Sequence, residues 1–130
     1  MALMHQQDMA ILKALVVVAW SDGDFATVEG EAIDGLLAAY EATETEKAEV
    51  HEFAKAPRAL SDIALQELSA ADRRVLLQHA VLVTYAEKDP SPKQVAFVDL
   101  LATHVKVPEE EAKAVIAAAK ERVQKLLHFL

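Results

Sequence analysis

Residues 10–29, AILKALVVVAWSDGDFATVE, constrain this chain more than any other stretch. Their first half is apolar on almost every face of a helix. A helix that is apolar all round has to be buried, because no orientation offers water a polar side. The β-branched run Val16, Val17 and Val18 costs a little helix propensity. A strand is the alternative for those residues, but nothing else in the chain offers a strand to pair with it. The second half breaks into a short acidic loop, Asp22, Gly23 and Asp24, and then restarts a helix. Gly23 suits the left-handed conformation that closes many helices. Thr27 reads as the next N-cap, with Glu29 and Glu31 near the positive end of the new helix dipole.

Residues 76–94, LLQHAVLVTYAEKDPSPKQ, repeat the pattern. At an offset of 65 residues Leu12 falls on Leu77, Leu15 on Ala80, and Val16, Val17 and Val18 on Val81, Leu82 and Val83. Trp20 falls on Tyr85, Asp22 on Glu87, Asp24 on Asp89, Glu29 on Gln94 and Ile33 on Val98. Each half puts an acid at the exit of its core helix. Each puts a polar side chain seven residues further on, just inside the next helix. Any two amphipathic hairpins of equal length align in spacing. The coincidence of acid, aromatic and restart position is what favours a duplication.

The remaining punctuation is helical. Thr43 with Glu46 matches a capping box, Ser69 and Asp72 mark another start, and Ser91, Pro92 and Gln94 a third. Val107-Pro108 followed by Glu109, Glu110 and Glu111 is another proline start with acids in the first turn, and together these predict helices over about residues 3–21, 27–42, 44–55, 61–68, 70–88, 92–105 and 108–130. Gly30 and Gly35 inside the second helix read as close helix approach or as plain tolerance. The chain has 130 residues, 53% hydrophobic and 26% charged, with three glycines and four prolines. That is too little turn chemistry for a many-stranded sandwich. The expected fold is all-α: a single domain, residues 1–130, forming a compact bundle of about seven helices with an internal pseudo-duplicated helix pair.

Charge and missing residue types narrow the function. The net charge of −8 argues against nucleic acid, whose partners present basic surfaces, and Arg73-Arg74 is the largest basic cluster. An acidic surface suits cations or a basic protein patch. Without cysteine there is no disulfide, thiolate nucleophile or cysteine-ligated zinc. No basic leader precedes an apolar segment. The longest apolar run, residues 14–20, falls well short of the roughly 20 needed to span a bilayer. A cytoplasmic protein without membrane insertion is expected.

The turn Ser21, Asp22, Gly23, followed by Glu29 in the next helix, resembles the mark of the TerB-like family, named for bacterial tellurite-resistance proteins. Glu87 and Gln94 stand at the matching places of the second copy. The likeness runs from about Ile11 to Val123. It implies a compact all-helical fold, a part in stress or tellurite resistance, metal binding by the acids, and protein partners near the membrane. Related domains occur within a DnaJ-type co-chaperone, which implies a docking module as readily. This chain departs from the pattern in its second copy, where Glu87-Lys88 replaces Asp-Gly and Gln94 replaces a carboxylate.

Asp22, Asp24, Glu29, Glu87 and Asp89 are therefore the candidate metal ligands. Hard cations such as calcium or magnesium take several carboxylate oxygens, and zinc accepts them too. The turn is no EF-hand: glycine directly follows the first Asp, and Ile33 stands where the closing Glu belongs. Capping of the next helix by Asp24 and Glu29 is the plainer role. No Gly-x-Ser-x-Gly elbow or glycine-rich phosphate loop occurs, so no enzyme is expected. The rival is a small metal-dependent hydrolase using the same acids. His5, His51, His79, His104 and His128 include no pair three or four residues apart, hence no helical zinc clamp. His79 reads as a half-buried, hydrogen-bonded residue, and Trp20 and Tyr85 as lids on the core, polar atom outward.

Overall fold

The apolar segments form six α-helices: α1 (Gln6–Ala19), α2 (Thr27–Ala39), α3 (Glu44–Ala54), α4 (Ala70–Thr84), α5 (Pro92–His104) and α6 (Glu109–His128). The computed structural model of the chain describes residues 6–21, 27–85 and 91–128, without the side chains of residues 7, 27–29, 127 and 128. No strand occurs among the described residues. The helix expected over residues 61–68 is instead two 3₁₀ turns, Leu60–Asp62 and Leu65–Glu67. The count is thus six and not seven. Ile63 and Leu68 reach the core from this segment, Ile63 three residues after Leu60 and Leu68 three after Leu65, a spacing that two tight turns meet. No described helix is long and apolar enough to cross a membrane.

Helix starts follow their side chains. Thr43–Glu46, Ser69–Asp72 and Ser91–Gln94 all form reciprocal capping boxes, and Pro92 occupies the first turn of α5. Thr27 opens α2 as its first residue and is not its N-cap. Gly23 and its turn lie outside the described residues. Gly35 is exposed, and a Cβ there would meet nothing within 4 Å, so it marks tolerance and not close approach.

The core is a pair of buried rods. In α1, Ile11, Leu12, Leu15, Val16, Val17 and Val18 are all fully enclosed. Its one polar residue past the first turns, Lys13, reaches out to Glu49 of α3 at 2.8 Å. In α4, Leu76, Leu77, Ala80, Val81 and Val83 match them. Val16 and Val81, paired by the repeat, are both 0% exposed. Helices α1 and α4 pack on each other; α2 and α3 pack on α1, and α5 and α6 pack on α4 in the same way. Helix α2 also touches α4, and α5 touches α1, as an exchange of halves requires.

The duplication is therefore larger than a helix pair. A 65-residue shift carries α2 onto α5 end to end and the start of α3 onto the start of α6. It also carries over a feature that composition hid. Glu41 and Lys106 are the only non-glycine residues with positive φ among those described, at 57° and 60°. Around the first, Ala42 N–H donates to the Leu37 carbonyl and Glu41 N–H to Ala38; around the second, Val107 donates to Ala102 and Lys106 to Thr103. These are two Schellman closures, one per unit, each with a charged residue where glycine is usual.

An L-residue held left-handed costs about 1–2 kcal/mol, against which glycine's added chain entropy costs up to about 1 kcal/mol. Lys106→Gly and Glu41→Gly are each expected to be neutral to stabilising by about 1 kcal/mol, while Lys106→Val destabilises by more than that. Urea midpoints of the three variants check this.

Candidate functional site

The five acids belong to the exits of the core helices. Asp22, Asp24, Glu87 and Asp89 lie outside the described residues. Glu29 sits in the first turn of α2, its side chain outside the description. What can be built from the residues upward is the frame that delivers these turns. Trp20 N–H closes α1 on the Val16 carbonyl at 3.1 Å, and Tyr85 N–H closes α4 on Val81 at 2.9 Å, one unit apart. The Trp20 indole N–H turns inward and donates to the Ala54 carbonyl at 3.1 Å, tying the exit of α1 to the end of α3. The Tyr85 ring lies under the Lys120 ammonium of α6 at 5.6 Å. Both aromatics are half-buried lids, as expected, although Trp20 spends its polar atom on a helix end and not on solvent.

Both exits point to one end of the molecule. Gln6, at the start of α1, hydrogen-bonds Glu67, just ahead of α4. Tyr40, at the end of α2, feels the charges of Asp8 in the first turn of α1 and Asp72 in the first turn of α4. The two core helices thus begin together, pack along each other and run in the same sense. At their far ends the hydroxyls of Ser21 and Thr84 are buried without a hydrogen-bond partner among the described residues, Thr84 being 2% exposed. Gln94, on the position matching Glu29, is 4% exposed, and its Oε1 accepts from Ser91 N–H at 2.9 Å. In the second unit that position serves as a cap.

The basic pair is structural. Arg73 donates to three carbonyls: Leu68 at 3.1 Å, Val105 at 3.0 Å and Leu65 at 2.9 Å. It thereby fixes the 3₁₀ segment and the α5–α6 corner to the start of α4. Arg74 pairs with Glu111 of α6 and donates to Ala70. Sequence reasoning missed this role, because the Val105 carbonyl is 32 residues away in the chain and only the fold brings it to Arg73.

His79 is half-buried, with Nε2 3.2 Å from the Tyr40 hydroxyl, so that one ring nitrogen bonds across α2 and α4. Burial holds its pKa below the ordinary value of 6.5. The Tyr40 hydroxyl titrates above its ordinary value, through burial first and then the charges of Asp8 and Asp72. No group of three potential metal-ligating His, Cys, Asp or Glu side chains occurs among the described residues.

Two grooves also went unseen in the sequence. In each unit the second and third helices rest on the core helix more than on each other. Between α5 and α6 this leaves about 540 Å³, lined by Asp99, Ala102, Thr103, Val107, Glu109, Ala112, Lys113 and Ile116. Between α2 and α3 it leaves about 260 Å³, where Ile33, Val50 and Ala54 form the apolar part. There His51 Nε2 and Asp34 Oδ1 meet at 2.6 Å. The signal was available: Asp34 and Asp99 are a 65-residue pair.

These features define a class: an all-helical bundle of two three-helix units closed by twin Schellman corners. No family model matches the chain, and no curated protein or solved structure matches it.

The depressed pKa of His79 sets a pH dependence. The unfolded chain takes up the proton more readily than the fold, so stability from this residue is complete above about 6.5 and declines as pH falls below it. Melting temperature should therefore drop between about pH 7 and about pH 5, and His79→Gln, which keeps a partner for Tyr40, should flatten that slope. Thermal melts of both proteins across this range check it. Arg73→Lys should lower stability by about 2 kcal/mol, because an ammonium cannot serve three separated carbonyls; chemical denaturation reads the loss.

Proposed function

We propose that this is a non-enzymatic, TerB-like stress-response domain of the tellurite-resistance type. It acts by binding a divalent cation, a protein partner, or both, at the end of the bundle where the core helices exit. One observation carries this reading: the two core helices start together and run in the same sense, so the chain leaves each toward the same end. Asp22 follows Ser21 directly, and Glu87 comes two residues after Tyr85. The unpartnered, buried Thr84 hydroxyl at that end adds a second polar group without a protein partner among the described residues. The acids' own side chains, with oxygen donors only, favour calcium or magnesium over a soft metal. The absence of a glycine-rich phosphate loop and of a nucleophile elbow favours binding over catalysis.

Titration calorimetry with calcium, magnesium and zinc tests the cation half. One of these should bind with a dissociation constant between about 10⁻⁵ and 10⁻³ M, as expected of a partly hydrated site. Asp22→Asn and Asp89→Asn should each weaken it about tenfold or more. Heat from none of the three metals removes the cation and leaves protein docking alone.

A further inference from the structure

We infer that the α5–α6 groove docks an amphipathic helix from a partner protein, one that carries a basic side chain at the edge of its apolar face. This surface is separate from the acidic exits. Its floor joins the α5–α6 corner, where Arg73 from the start of α4 holds the Val105 carbonyl, so it lies at the opposite end of the core helices.

The two grooves lie between corresponding helices of the two units and share two lining positions under the 65-residue shift, Asp34 with Asp99 and His51 with Ile116. In the first unit Asp34 is met by His51 at 2.6 Å, and this contact bridges α2 and α3 across the groove. In the second unit Asp99 stands on the position of Asp34, and Ile116 on that of His51. The bridging imidazole is replaced by an apolar side chain. The α5–α6 groove, about 540 Å³, extends from Asp99 and Ile116 toward the corner at Val107 and Glu109, whereas the α2–α3 groove, about 260 Å³, extends from Asp34 and His51 toward Gly30 and Lys55.

The exchange has two chemical consequences. Ile116 joins Ala102, Val107 and Ala112 to give the groove an apolar floor. Val95, one turn before Asp99 on α5, is 39% exposed and adds an apolar side chain to that helix outside the groove's own lining. Asp99 is left on the rim with no ion pair among the described residues. The other rim charges cancel, because Lys113 is held by Glu109 at 3.1 Å. The rim therefore carries one uncompensated negative charge beside an apolar trough between two helices. A third helix with small or branched apolar side chains at i, i+3 and i+7 fills such a trough, and its flanking Lys or Arg answers Asp99. The chain's net charge of −8 steers a basic partner and repels an acidic one.

The test uses the full-length, ¹⁵N-labelled chain in chelator, so that the cation reading neither helps nor harms it. The probe is a synthetic amphipathic Leu/Lys peptide of about 18 residues, five turns of helix, with a Leu/Glu peptide of the same apolar pattern as its counterpart. The Leu/Lys peptide should shift the amides of Thr103, Val107 and Ile116, and the Leu/Glu peptide should not. Asp99→Lys should weaken binding roughly tenfold or more, with Asp99→Asn intermediate. Thr103→Arg, an exposed position whose longer side chain enters the trough, should block it. Asp34→Asn in the sister groove should leave it unchanged. The proposal is overturned by equal binding of the two peptides, by shifts scattered over the acidic surface, by Glu110→Lys weakening binding as much as Asp99→Lys, or by no binding at about 1 mM peptide, the weak limit of specific association.

Discussion

The burial of α1 against α4 is the constraint from which the rest follows. Helix α1 has no polar face past its first turns, so it must be covered on every side. Each fully buried Leu, Ile or Val is worth about 1.5–3 kcal/mol, and six of them sit on this one rod. Helices α2 and α3 cover two sides of it, α4 a third, and α5 touches it as well. The two 3₁₀ turns complete the cover, and they pack on α1. They come from the segment between the two units, and the described residues at the matching positions of the second unit continue α6. That asymmetry explains a difference between the paired helices. Val17 is fully buried where its mate Leu82 is only half-buried, and α4 carries an exposed Gln78. Among the described residues no 3₁₀ turn lies over the polar strip of the second rod.

Periodicity made the helices legible because burial decides them, and burial is written in the spacing of apolar residues. The capping boxes were legible because their chemistry is local: an oxygen at one residue and a carboxylate or amide three further on suffice. Two kinds of feature were not. The Schellman corners at Glu41 and Lys106 lack glycine, so the usual marker was missing, and only an apolar residue directly after each, Ala42 and Val107, hinted at them. Ile63, Leu65 and Leu68 satisfy a helical spacing on paper, yet their carbonyls and side chains answer to Arg73 and to α1, which are long-range partners. Tertiary context overrode propensity there.

The candidate site was legible in a different sense. Sequence identifies the acids and the exits they follow, and the fold supplies the shared direction of the core helices. The grooves were beyond sequence reasoning because they arise from what is absent, a close contact between the second and third helix of each unit. Arg73 illustrates the same limit from the opposite side. A basic pair in a sequence reads as a surface for anions, but here the guanidinium is consumed by the carbonyls of Leu65 and Leu68 in the second 3₁₀ turn and of Val105 after α5.

Set side by side, the two units have diverged in complementary directions. The first keeps Asp-Gly after its core helix and an acid at Glu29, and it bridges its groove with the Asp34–His51 contact. The second has lost the glycine, has turned the Glu29 position into a buried amide that caps α5, and has an apolar Ile116 where the bridge would be. The last two of these differences are cheap in the fold, because neither touches the rods: Gln94 satisfies its own helix start, and Ile116 packs against the core beneath it. A duplicated scaffold whose stability rests on two buried helices leaves the outer face of each unit free to change. The shared core explains why α2 and α5, and α3 and α6, start 65 residues apart, while the residue types after the core helices and in the grooves differ.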